Sequence, residues 1–195
     1  SFLSYADDLP QQTEQARLNG HELLLHTPME PINPRFNPGP GALRSDMSAE
    51  EIAEKFKMML TSFDGYVGIN NHMGSKFTSD KQSISVVMDE LRKRELLFLD
   101  SLTSGNSAAW KSARDQHVPY AVRDIFLDNS QNEEEIMKQL LLVEKHALQS
   151  RTSVAIGHPH PTTINALKKW IPKAQKKGFV FVPISTIALI KQDAF

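Results

Sequence analysis

Cysteine is absent from the 195 residues. That excludes disulfides, thiolate zinc sites and thiol nucleophiles. Any metal must therefore be held by His, Asp, Glu, Asn or water. No apolar run approaches the ~20 residues that a membrane-spanning helix needs, and no secretory leader pattern is visible. Neither charge sign is in excess, with 22 basic and 23 acidic residues and a net charge of -1. Nothing there points to a nucleic-acid partner or an anionic membrane surface. A Gly-x-Gly-x-x-Gly turn and a Walker-type loop are both missing, so nucleotide binding lacks support. No Gly-x-Ser-x-Gly elbow is present, which ranks Ser-His-Asp catalysis low.

What is present is an alternation of short apolar runs and amphipathic helical stretches. The length suits one domain with a sizeable core. Strands are expected at Phe2–Tyr5, His21–His26, Tyr66–Asn71, Leu96–Asp100, Val118–Val122, Ser153–Gly157 and Phe179–Val182. Between them, Ser48-Ala49-Glu50-Glu51 is a capping box, followed by Ile52, Phe56, Met59, Leu60 and Phe63 on one helical face. Asp80 starts a further helix, residues 133–149 form another with an acidic first turn, and Thr162 is expected to cap the last. The strands are continuously apolar rather than alternating, which marks a parallel sheet covered on both faces. The expected architecture is α/β: a (β/α) barrel, irregular and seven- or eight-stranded, spanning residues 1–195 as a single domain. A first strand is expected to lie upstream of Ser1. Residues 28–42 form a long proline-punctuated loop, with Arg44 and Asp46 near its end as a possible ion pair; loops of this length are usually functional.

Polar residues collect at the expected strand ends. His26 ends the second strand, His72 follows the third, Asp100 ends the fourth, Asp124 follows the fifth and His158 ends the sixth. In a parallel fold these ends share one rim, where such proteins place their chemistry. A lone His there is more often structural and a lone Asp more often a helix cap, but five coincidences favour a site. Without cysteine, imidazoles and a carboxylate make a plausible divalent-metal site. His21 lies at the opposite end of its strand and reads as structural. His117 and His146 fall on helical stretches and read as surface residues.

At these motifs the chain resembles the divergent polysaccharide deacetylase family. The matching segments are Gly20-His21-Glu22, His26-Thr27-Pro28-Met29-Glu30-Pro31, Gly39-Pro40-Gly41-Ala42, Asn70-Asn71-His72-Met73-Gly74-Ser75, Phe98-Leu99-Asp100-Ser101, Phe126-Leu127-Asp128 and Gly157-His158. The resemblance implies a (β/α) barrel and a divalent metal, usually zinc. It also implies a preceding strand ending in Asp-Asp, one a metal ligand and the other the base, which is not in this sequence. Asp7-Asp8 follows a different strand and does not replace it. Where the deacetylases proper carry His-x-x-x-His, this chain has His26-Thr27-Pro28-Met29-Glu30. His72 could supply the second imidazole from the neighbouring strand, and His158 matches the late histidine that serves as general acid.

The resulting expectation is a metal-dependent hydrolase removing N-acetyl or other acyl groups from a carbohydrate or polysaccharide. His26 and His72 are the expected metal ligands, and His158 and Asp100 the catalytic residues. Glu30, Asn71, Arg123, Asp124 and His160 are the expected substrate contacts. The alternative is a non-catalytic, glycan- or protein-binding barrel that keeps the pocket. The family resemblance implies placement in the periplasm or cell envelope.

Overall fold

The computed structural model describes residues 1–192. They group into two compact units, one comprising Ser1–Val122 with the segment beginning at Pro183, the other Arg123–Val182.

In the larger unit, β1 (Phe2–Leu3), β2 (Leu23–Met29), β3 (Tyr66–Met73), β4 (Leu97–Asp100) and β5 (Tyr120–Val122) form a five-stranded sheet in sequence order. Every pairing is parallel. The connections carry α1 (Leu9–Leu18), α2 (Ala49–Leu60), α3 (Lys81–Arg92) and α4 (Ala109–Asp115). The expected capping box is present at α2: Ser48 Oγ accepts from Glu51 N–H, while the Glu51 carboxylate accepts from Ser48 N–H. Asp80 caps α3 through Ser83 N–H. Leu25, Ile69 and Phe98 are in register and point to one face of the sheet. There they pack against Ile52 and Phe56 of α2, Ile84 and Met88 of α3, and Ala109 of α4. Each large side chain so buried contributes about 1.5–3 kcal/mol. Side chains alternate along a strand, so His26, Asn70 and His72 belong to the other face.

The smaller unit holds β6 (Ile125–Phe126) paired in parallel with β7 (Ala155–Ile156), flanked by α5 (Glu133–Ser150) and α6 (Pro161–Lys176). Leu127, Ile136, Leu140, Ala166 and Trp170 form its core. The Trp170 indole N–H donates to the buried Glu144 carboxylate, which also accepts from Lys177. The chain then re-enters the larger unit as α7 (Ile184–Gln192).

The parallel α/β expectation is met, but the closed barrel is not seen. The described strands make two separate sheets of five and two strands. Residues 179–182, expected as a strand, are not one. Just past α6, Gly178 takes the left-handed conformation, with Phe179 N–H donating back to Ala174 C=O, a helix-terminating pattern that consumes the first donor of the segment. Val180 is left 82% exposed, and Pro183 cannot donate to a ladder. Thr162 does not cap α6 either. Pro161, whose missing N–H suits a helix's first turn, starts the helix two residues earlier than a Thr162 cap would, and His160 occupies the capping position without a side-chain cap bond.

Candidate functional site

Register brings His26 and His72 together. Asn70 pairs with His26 and Pro28 with His72, so the two imidazoles leave neighbouring strands on one face, a short step apart. His26 Nε2 lies 3.1 Å from His72 Nδ1, and the rings meet edge to face with centroids 4.9 Å apart. Two nitrogens this close cannot both present bare lone pairs. Either a proton lies between them or a cation does. Two imidazole nitrogens on one tetrahedral zinc sit about 3.3 Å apart, given Zn–N of about 2.0–2.1 Å. The observed spacing therefore fits a shared divalent ion. A β-strand is the right support for such a pair, because the sheet fixes both Cα positions.

Three other expected site residues of the larger unit are engaged inside the fold. Asp100 is fully buried on the helix-covered face. Its Oδ1 accepts from Leu102 N–H at 2.8 Å and its Oδ2 from Ser107 O–H at 2.7 Å. Asn71 Oδ1 accepts from Ser101 N–H, and its Nδ2 donates to Met73 C=O. That clamps the ends of β3 and β4 together. Glu30, just past β2, accepts from Ser45 N–H and O–H and from Lys76 Nζ at 2.9 Å, with Arg44 at 3.5 Å. Burial pushes the Glu30 carboxyl up, but the Ser45 and Lys76 hydrogen bonds outweigh it and hold it below the usual range.

Glu30 also lines a cavity of about 950 Å³ beneath the proline-rich loop. Pro31, Ile32, Phe36, Lys55 and Lys76 contribute to its walls. The loop is held in place by several contacts. Leu43 bridges to Met29, Tyr5 donates its hydroxyl to Pro38 C=O, and the Arg44–Asp46 ion pair forms with two contacts of 3.1 Å. Gly39 has φ 91° and abuts the Tyr5 ring so closely that a Cβ there would lie 2.2 Å from Tyr5 Oη.

In the smaller unit Phe126 pairs with Ile156. Two residues further on each strand, Asp128 and His158 therefore stand side by side. The buried Asp128 carboxylate accepts from His158 Nδ1–H at 3.0 Å, from His158 N–H at 2.5 Å and from Thr163 O–H at 2.9 Å. Burial raises its pKa, and these three hydrogen bonds more than reverse that, keeping it below the ordinary carboxylate range. An acceptor-only carboxylate assigns the Nδ1 proton, which leaves Nε2 of His158 for chemistry. The His158 side chain is 51% exposed. His160 lies close by, ring centroids 5.7 Å apart, with Gln131 Nε2 at 3.5 Å from its Nε2. Ligand atoms of Asp128, His158 and His160 all fall within 4.8 Å of one another, making a second group able to hold a cation. Arg123 lies over the Phe126 ring at 5.3 Å. Asp124 accepts from Val154 N–H and stands 3.7 Å from His146 Nδ1, so it braces β7.

Sequence reasoning gave no role to Asp128 or Thr163. The signal was available: Phe126-Leu127-Asp128 is one of the quoted motifs, and pairing it with Ile156-Gly157-His158 puts the acid beside the imidazole.

A family model for divergent polysaccharide deacetylases matches residues 1–188. The uncharacterized protein YibQ of Escherichia coli strain K12 is 38% identical over 161 residues, covering 83% of this chain and 50% of that protein. An uncharacterized protein of Haemophilus influenzae is 34% identical over 157 residues, covering 80% of this chain and 56% of that one. The chain thus spans about half the length of these curated relatives. The crystal structure of uncharacterized protein ATU2773 from Agrobacterium tumefaciens C58 superposes with a TM-score of 0.93 at 28% identity, over 95% of this chain and 76% of that one. With the motifs in order along both units and the match running almost end to end, the chain belongs to the divergent polysaccharide deacetylase family.

Proposed function

We propose that the protein is a metal-dependent hydrolase that removes N-acetyl or related acyl groups from a carbohydrate or polysaccharide. The single observation that carries this reading is the 3.1 Å approach of His26 Nε2 and His72 Nδ1, a spacing suited to two ligands of one zinc or similar ion. When bound, the ion supplies Lewis-acid activation of the acyl group and of water. His26 and His72 would hold it. In the smaller unit His158 is the proposed proton donor, through Nε2, while Asp128 accepts from Nδ1 and fixes the tautomer. The cavity beneath the proline-rich loop receives sugar, and the cell envelope or periplasm is where such a polymer is met. No helix among the described residues is long and apolar enough to cross a membrane.

One observation favours a second reading, a glycan- or protein-binding protein without catalysis. Glu30 occupies the place of the second histidine in the deacetylase motif, and its carboxylate is engaged by Ser45 and Lys76. Acetate release from N-acetylated oligosaccharides, with zinc and with chelator, separates the two. The hydrolase reading expects release that chelator abolishes, zinc restores, and His158→Ala slows without loss of zinc affinity. Glycan binding with no release under either condition supports the second reading.

A further inference from the structure

Asn70 carries an unexplained atom. It is 3% exposed, in register with His26 and, by strand alternation, on the same face as His72. Its Nδ2 donates to Ser101 Oγ at 3.2 Å. That hydroxyl has one proton, directed to Asn71 C=O at 2.9 Å. Ser101 Oγ must therefore accept from Asn70, which fixes which end of the amide is nitrogen. Asn70 Oδ1 is consequently turned away from Ser101, and it is buried without a protein donor among the described residues. Leaving a carbonyl so costs about 1–3 kcal/mol, a cost removed when something outside the chain satisfies the oxygen.

We propose that Asn70 Oδ1 is a third protein ligand, with His26 Nε2 and His72 Nδ1, for one divalent cation on this face of the sheet. The inference rests on the metal-dependent reading and adds a residue to it. An uncharged N,N,O set suits zinc, cobalt or manganese and leaves positions for water or substrate. Ser101 is the positioning residue, holding the amide so that oxygen, not nitrogen, meets the ion. The neighbouring Asn71 turns its amide to Ser101 N–H and Met73 C=O, so adjacent asparagines on opposite faces have different tasks.

The test is zinc affinity by competition with a chromophoric chelator, and the visible spectrum of the cobalt-loaded protein, both without any sugar. Asn70→Leu keeps the volume and removes the oxygen. It should weaken zinc binding roughly tenfold or more, change the cobalt spectrum, and leave the metal-free protein at least as resistant to heat as the wild type. Asn70→Asp should bind zinc as tightly as the wild type or tighter. If Asn70→Leu binds like the wild type while His26→Ala does not, the cation site stands and Asn70 is no ligand. If Asn70→Leu lowers metal-free stability and Asn70→Asp fails to recover affinity, Asn70 is structural and the inference is overturned. Should Asn70→Leu not fold, Asn70→Asp decides: weaker zinc binding than the wild type overturns it. If the wild type binds no cation, the metal-dependent reading fails and the inference falls with it.

Discussion

In the larger unit an imidazole faces an imidazole; in the smaller, an imidazole faces a carboxylate. Both pairs arise from parallel strands in register, the first inside β2 and β3, the second just past the ends of β6 and β7. The partner makes the difference. Two nitrogens at 3.1 Å can share a proton or a metal ion, so that pair gains from a cation. A carboxylate beneath Nδ1 already supplies the charge, so His158 keeps a defined tautomer and an Nε2 for proton transfer. In the proposed reading one arrangement holds an ion and the other moves a proton.

The largest expected effect would break this contrast at the histidine pair. Structural zinc sites with four ligands bind with about 10–16 kcal/mol, or about 2.5–4 kcal/mol per ligand. At about 1.4 kcal/mol per decade, His26→Ala or His72→Ala should weaken zinc binding by roughly sixtyfold to several hundredfold. His21→Ala should not change it. Chelator competition measures all three, and equal losses would mean that no specific pair exists.

Next in size is Asp128→Asn. General acid–base groups contribute roughly 10²–10⁴ in rate, and a group that only orients one contributes part of that. Acetate release should fall about tenfold to a hundredfold, while zinc affinity stays at the wild-type value. A fall in zinc affinity matching that of His26→Ala would erase the contrast. The same substitution tests the charge. The folded-state pKa of Asp128 is depressed, so the carboxylate contributes stability above the unfolded value, about 3.9. That contribution is lost as pH falls through the folded value. The stability gap between wild type and Asp128→Asn should therefore narrow below about pH 4. A gap that widens there would contradict the depressed pKa.

Much of this was legible in the sequence, and the failures have physical causes. The capping box at Ser48 and the Asp80 cap are local signals, and both appear where a local reading puts them. His26 and His72 meet because their apolar runs form neighbouring parallel strands in register, but β2 continues past His26 to Met29 and β3 includes His72, so neither marks a strand end as expected. Asp100 and Asn71 carry the same signal but lie on the other face, and one residue of offset decides which side of the sheet a side chain takes. The apolar run at 179–182 has strand composition but follows Gly178, whose turn uses its first donor. Composition does not show that. The orphaned oxygen of Asn70 depends on the direction of a hydroxyl proton on another strand, which no one-dimensional pattern encodes.

A smaller effect is expected at the buried carboxylate of the larger unit. Glu30, like Asp128, is depressed by hydrogen bonds, but its charged partners are Lys76 and Arg44 rather than a histidine. Hydrogen bonds to a charged group contribute about 1.5–3 kcal/mol, and the half-exposed Lys76 lowers that. Glu30→Gln should cost about 1–2 kcal/mol in urea unfolding. Its stability gap from the wild type should be flat from pH 6 to 8, because the partners of Glu30 are Ser45, Lys76 and Arg44 and none is a histidine. A sloping gap would show that Glu30 senses a histidine.

The smallest effect belongs to the Arg44–Asp46 pair. Both contacts are 3.1 Å, a geometry that suggests a fastening for the loop. Yet the side chains are 52% and 62% exposed, and water with salt screens such a pair. The loop is held independently by the Leu43–Met29 bridge, by Tyr5 on Pro38 and by Gly39 against the Tyr5 ring. Asp46→Ala should therefore leave the unfolding midpoint and the loop's amide exchange unchanged at physiological salt. Arg44→Ala should do slightly more, since Arg44 also stands 3.5 Å from the buried Glu30. If Asp46→Ala instead makes residues 31–42 exchange rapidly, the ion pair is the fastening. The cavity wall would then open with ionic strength, and glycan binding should weaken as salt rises.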